Sequence, residues 1–247
     1  MKYVNQLDYP DMPYITQVKS TDPEKIKIGL NNTVAKSGCG LCSAVMVASR
    51  LRVDDGKFEV EDARQLSYDS GANHSSGTDG SFYYPAFAEK FNLNFVRSKS
   101  TEDLLNCLRT GGAAIISCTG DREDYHGVFS DRWGHYIVAV SVEPDGRLAI
   151  LDAAYEDGCY EKGDRKGKVE VLSRGFCRTS LKVIEEETAT RELPFYLFRR
   201  KQRHTDTSTR TNRRVDVFCR GFDFSVKAWY NVSVQYICKN STKREMI

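Results

Sequence analysis

The chain has 247 residues, 40% of them hydrophobic, which is enough to bury a full core and excludes disorder throughout. Its 36 basic and 34 acidic residues leave a formal net charge of +2, too near balance for field-driven binding of nucleic acid or an anionic membrane. No run approaches the roughly 18 consecutive apolar residues of a spanning helix, and the eight cysteines lack the density of a small disulfide scaffold.

The opening "LDYPDMPYITQVKS" carries Pro10 and Pro13 and reads as an extended arm ending at Gln17, followed by a polar stretch to Ser37. It lacks the apolar core of a secretory signal, so the chain reads as cytoplasmic as it stands, or as exported with a leader removed. An apolar helix begins near Cys39 in "KSGCGLCSAVMVASRL". "VEDARQLSYDSG" is a second helix stopped by Gly71, and "GSFYYPAFAEKFNLNF" a third that passes into a strand. "STEDLLNCLRTGG" has a Ser or Thr cap and a double-Gly stop, and it delivers the chain to the buried strand "AAIISC".

Residues 119–134, "TGDREDYHGVFSDRWG", are polar and Gly-punctuated, which suits a mobile loop gating a site. "HYIVAVSV", "EPDG" and "RLAILDAAY" then read as strand, turn and strand, the clearest hairpin in the chain. "GKVEVLS" and "ELPFYLFRRK" look like strands that complete the sheet. Helices first and strands later point to an α+β domain over residues 1–200. Residues 201–214 read as a basic polar linker and 215–247 as a β-rich extension. The basic run from Arg199 to Arg214 has no interleaved aromatic platform and reads as solvated, not as a nucleic-acid contact.

Cys39 is where the chemistry concentrates. A thiolate is the attacking form of cysteine, and free N–H groups at a helix N-terminus lower the thiol pKa. Gly38 and Gly40 flank it and would let a substrate backbone come close. Such a nucleophile needs an imidazole as base. Of the four histidines, His74, His126 and His204 lie in polar stretches, whereas His135 follows Gly134 at a loop-to-strand junction. Asp152 ends the partner strand. With a two-residue turn it falls opposite Ile137, diagonal to His135 and on the same face. A three-residue loop with a Gly bulge would flip that parity unless a second bulge restored it.

The motifs "SGCGLCSAVMVASRL", "GHYIVAVSVEPDGRLAILDAAY" and the early "YITQ", three separated motifs in the correct order over about residues 10–155, resemble the bacterial cysteine peptidases related to bacteriocin double-glycine leader peptidases, of the papain-like superfamily. The resemblance implies a papain-like fold, its helical half carrying Cys39 packed on an antiparallel sheet half carrying His135 and Asp152. It implies Cys39 as nucleophile, His135 as base, Asp152 as the residue orienting it, and Gln17 with the Cys39 N–H as oxyanion donors. The expected reaction is hydrolysis of a peptide or amide bond in a peptide or protein substrate, through a thioester, with no cofactor and no metal. Cys42 stands where Thr, Ser or Ala is usual, Ala153 where Pro is often found, and no transporter segment accompanies the domain.

Three other readings compete. Acyl transfer would use the same residues with an amine or thiol acceptor, and a non-catalytic domain would use the cleft for peptide binding. A Cys39-x-x-Cys42 redox pair is disfavoured by the lack of a preceding βαβ unit, and zinc by the lack of a second close ligand pair. Cys42 itself reads as a buried helix residue.

Overall fold

A computed structural model describes residues 1–17, 31–130 and 134–201. The linker and β-rich extension expected over 201–247 lie outside these residues, save for Lys201.

After a 3-10 turn at Gln6–Asp8, the helices are α1 (Val34–Ser37), α2 (Cys39–Leu51), α3 (Val60–Asp69), α4 (Gly80–Lys90), α5 (Thr101–Arg109) and α6 (Leu181–Thr188). A two-stranded ribbon pairs β1 (Asn73–His74) with β2 (Gly77–Thr78). The main sheet contains β3 (Leu93–Ser98), β4 (Ala113–Cys118), β5 (His135–Val142), β6 (Leu148–Asp152), β7 (Val169–Ser173), β8 (Phe176–Thr179) and β9 (Phe195–Arg200). Its order is β3-β9-β4-β5-β6-β8-β7, with every neighbouring pair antiparallel. The class is α+β, as the order of elements implied.

The sheet is covered on both faces. Ile115, Val138, Ala149 and Phe198 share one apolar cluster with α2, α3 and α4, while Ile116, Ile137, Ile150 and Phe195 share the other with α5 and α6. This explains why β4 and β6 read as unbroken apolar runs rather than alternating ones: all of their residues are buried. Helix α2 is the central helix, buried nearly all round, with Ala44 and Ala48 allowing close packing and Leu41, Val45 and Met46 wholly enclosed. Each of those larger side chains contributes about 1.5–3 kcal/mol by burial. α2 ends at Arg52, whose left-handed backbone (φ 51°) returns its N–H to the Ala48 and Ser49 carbonyls.

Helix α1, the β1–β2 ribbon, helix α6 and strand β8 escaped the sequence pattern. Helix α6 is capped by Ser180, whose side chain accepts from the Val183 N–H, and strand β8 lies between β6 and β7. The opening arm is not simply extended. Its 3-10 turn docks on the end of β6: the Gln6 N–H donates to Ala153 O (2.7 Å), the Tyr3 hydroxyl to Asp152 O (2.7 Å) and Asn5 Nδ2 to Tyr155 O (2.7 Å).

The β5–β6 turn is the three-residue form. Glu143 N–H donates to Arg147 O (2.8 Å), Gly146 N–H donates to Glu143 O (3.0 Å), and Gly146 takes φ 84°. Val142 therefore pairs with Leu148 and Ser141 with Ala149. A bulge between Ala139 and Ser141 then shifts the ladder, so that Ala139 pairs with Ile150 and Ile137 with Asp152. The turn and the bulge offset one another, and Asp152 comes to lie diagonal to His135.

Candidate active site

Three elements converge on Cys39. It is the first residue of α2, so the N–H groups of the first turn have no intrahelical partner and the positive end of the helix dipole lies at its thiol. Gly38 and Gly40 serve the protein's own packing: a Cβ on Gly38 would meet Val34 Cγ1 at 2.4 Å, and one on Gly40 would meet Thr78 Cβ at 2.8 Å. Close fit against α1 and β2, rather than room for a substrate backbone, requires glycine at these two positions.

His135 opens β5 and reaches both of the other expected residues. Its Nε2 lies 2.7 Å from Asp152 Oδ1, and its ring also hydrogen-bonds the Cys39 thiol. With Nε2 held by the carboxylate, Nδ1 is the nitrogen left for sulfur. Gly134 makes this entry feasible. It has φ 80°, and a Cβ there would sit 2.6 Å from Arg191 Nη2 and 3.1 Å from Cys118 O.

Asp152 is 3% exposed and fully engaged. Oδ1 accepts from His135 Nε2 and from the Ala154 N–H (2.9 Å), and Oδ2 accepts from the Tyr160 hydroxyl. Burial opposes its charge, but the His135 charge and hydrogen bond, with the Tyr160 and Ala154 donors, bring its pKa below the usual carboxylate value. Burial likewise disfavours imidazolium at His135, yet the Asp152 carboxylate and the Cys39 sulfur raise its pKa well above that of free imidazole. For Cys39, burial raises the thiol pKa. The His135 hydrogen bond and charge, with the Tyr136 and Gly40 N–H groups, outweigh burial, and the net shift is downward. The arrangement can hold a thiolate beside an imidazolium.

Cys42, one turn along, has the opposite environment. It is 0% exposed within the α2 core cluster, and burial, reinforced by the charge of Cys39, pushes its thiol up. Both are free thiols. Among the described residues, no group of three or more His, Cys, Asp or Glu side chains is disposed to hold a metal ion.

Gln17 is not brought to this cluster. Its Nε2 donates to Tyr68 O (2.9 Å), its Oε1 accepts from the Asn73 N–H (3.3 Å), and it does not line the cavity at Cys39. Those partners fasten the end of the opening arm to the α3–β1 segment. The glutamine at the cavity is Gln6: it is buried, it lines the Cys39 cavity, and its Nε2 donates to Ala35 O (2.7 Å) in α1. Nothing in the sequence singled it out, because 33 positions separate it from Cys39 and the docking of the arm on β6 is a tertiary event. Tyr160 also went unread.

The cavity at Cys39 encloses about 430 Å³ and is also lined by Ser76, Phe129, Ser130 and Ala154. Phe129 and Ser130 come from the loop after β4, expected to be a mobile gate. Residues 119–130 are instead anchored on Glu187, a wholly buried carboxylate of α6: Oε1 accepts from the Tyr125 hydroxyl (2.5 Å) and the Val128 N–H (2.6 Å), and Oε2 from the Phe129 N–H (3.4 Å). The signal available in the sequence was an acid on the apolar face of α6, in line with Val183 and Ile184. No helix among the described residues is long and apolar enough to cross a membrane. No protein-family model matches the chain, and no curated protein matches it.

Proposed function

We propose that the protein is a papain-like cysteine peptidase, cleaving a peptide or amide bond through a thioester at Cys39. The single observation that carries this reading is that His135 bridges Cys39 and the buried Asp152 carboxylate. A thiol used merely as a small apolar side chain has no need of a charged imidazole held by a second charge; a nucleophile does.

In the proposed reaction, the Cys39 thiolate attacks the substrate carbonyl carbon and the carbonyl π electrons move to oxygen. The oxyanion takes hydrogen bonds from the Cys39 N–H and the Gln6 side-chain amide. As the intermediate collapses, the C–N bond breaks and the His135 imidazolium protonates the leaving amine. Neutral His135 then takes a proton from water, whose hydroxide adds to the thioester. Sulfur departs as thiolate, the acid is released, and the thiolate–imidazolium pair is restored. Asp152 keeps the ring oriented and stabilises its positive form throughout.

The test is turnover of a quenched-fluorescent peptide library by the native chain and by Cys39→Ala, with circular dichroism to verify the fold. Cleavage by the native chain and loss of at least 10³-fold in the folded variant is expected. Persistent cleavage by Cys39→Ala would overturn the scheme.

A further inference from the structure

Resting on that reading, we infer that the substrate presents an acidic side chain to the Cys39 cavity, where Lys36 and Arg165 receive its carboxylate. The charge distribution of the cavity wall carries the inference. Among the described lining residues there is no aspartate or glutamate, whereas Lys36 and Arg165 both contribute. Their hydrogen bonds go to neutral main-chain oxygens: Lys36 Nζ to Asn31 O (3.1 Å) and Arg165 Nε to Gly127 O (3.0 Å). Among the described residues neither cation has a carboxylate partner, although the chain carries nearly as many acids as bases.

Both cations are positioned by the elements that build the site. Lys36 lies in α1, three residues before Cys39, and Arg165 ends a 3-10 turn (Gly163–Arg165) whose bond to Gly127 O ties it to the anchored loop. Two cations without a carboxylate partner among the described residues, on a wall whose described residues include no acid, suit a negatively charged guest.

The test separates this inference from the activity on which it rests. Cys39 is alkylated with anionic iodoacetate and with neutral iodoacetamide, and the ratio of the two rates is measured at low ionic strength in the native chain, Lys36→Gln, Arg165→Gln and the double variant. The ratio cancels any change in thiolate content, which affects both reagents alike. A charge roughly 8 Å from an anion in a water-like medium changes its local concentration by about two- to threefold, so the double variant should lower the ratio by about four- to tenfold. Added salt should shrink the native ratio toward that of the double variant. In the peptide library, glutamate-containing substrates should outpace their glutamine counterparts in the native chain, and this preference should disappear in the double variant. An unchanged ratio at a Cys39 still reactive below the ordinary thiol range would overturn the acidic-substrate inference alone. A Cys39 that reacts as an ordinary thiol would overturn the nucleophile reading, and the inference with it.

Discussion

His135 Nε2 lies 2.7 Å from Asp152 Oδ1, and this contact leaves Nδ1 as the ring nitrogen free for Cys39. The carboxylate also stabilises the positive ring that a thiolate requires as partner. Each charge of the proposed pair therefore depends on the next one along.

The pH dependence follows from the directions of the shifts. The Cys39 pKa is lowered, so thiolate appears as pH rises through a value below the ordinary thiol pKa of about 8.5. The His135 pKa is raised, so imidazolium persists until pH rises through that higher value. Between the two, both groups are charged. Iodoacetamide should alkylate Cys39 well below pH 8.5 in the native chain, read peptide by peptide by mass spectrometry. In His135→Ala the profile should move up to that of a buried, unpaired thiol. Asp152→Asn should fall between them, because the ring keeps a neighbour but loses the charge that holds its proton. Identical profiles in all three would mean that the pair is neutral.

Tyr160→Phe tests the support beneath Asp152. The variant keeps the ring and removes the hydroxyl that donates to Oδ2, leaving a buried carboxylate oxygen short of a donor. The expected loss is about 1–3 kcal/mol in urea unfolding at neutral pH. The sign with pH is set by the depressed pKa of Asp152: its contribution is complete above the unfolded value of about 3.9 and is lost as pH falls through the lower folded value. The difference between native and variant should therefore shrink on acidification. A constant difference across that range would assign the loss to packing.

How far the site could be read from the sequence depended on whether each residue's place was set locally. Cys39 was legible because a helix start, its glycines and an apolar run lie side by side in "SGCGLCSAVMVASRL". His135 was legible because Gly134 marks a strand entry. Asp152 was legible only as one of two parities. Its register rests on a three-residue turn, which Pro144-Asp145-Gly146 announces, and on a bulge near Val140, which nothing local announces. The bulge is braced from another element, since Arg50 Nε of α2 donates to Val140 O (3.2 Å). Glu187 was hidden in a run of three glutamates, where only the face it takes on α6 distinguishes a buried anchor from a solvated acid.

Glu187→Gln should loosen the wall of the cavity. The amide has one accepting oxygen where the carboxylate has two, and its NH₂ would confront N–H or O–H donors that now point at an acceptor. Hydrogen exchange at the Val128 and Phe129 amides should accelerate, with a loss of about 1–3 kcal/mol in global stability. For the proposed peptidase, the effect on turnover should fall mainly on KM, since Phe129 and Ser130 line the cavity where substrate would bind. Exchange unchanged from native would show that the loop is held by its other bonds, Gly127 N–H to Asp121 Oδ1 (2.7 Å) among them.

Gln6 and Gln17 offer the sharpest contrast between what spacing suggests and what folding does. Both are glutamines of the opening arm, and the motif "YITQ" favoured Gln17. Its side chain instead closes a local bridge between Tyr68 O and the Asn73 N–H. Gln6 is carried to the Cys39 cavity by a chain of arm contacts on β6: Tyr3 to Asp152 O, Asn5 to Tyr155 O and Gln6 N–H to Ala153 O. Its Nε2 spends one hydrogen on Ala35 O and keeps a second. If that second hydrogen stabilises the oxyanion, Gln6→Ala should lower kcat by about 10²–10³-fold with KM little changed, because the bond forms in the transition state rather than with the bound substrate. Gln17→Ala should leave kcat within about twofold and lower thermal stability modestly, as loss of an exposed bridge does. Measuring both under saturating peptide separates them, and the opposite ranking would return the oxyanion donor to Gln17 and require the arm to rearrange on substrate binding.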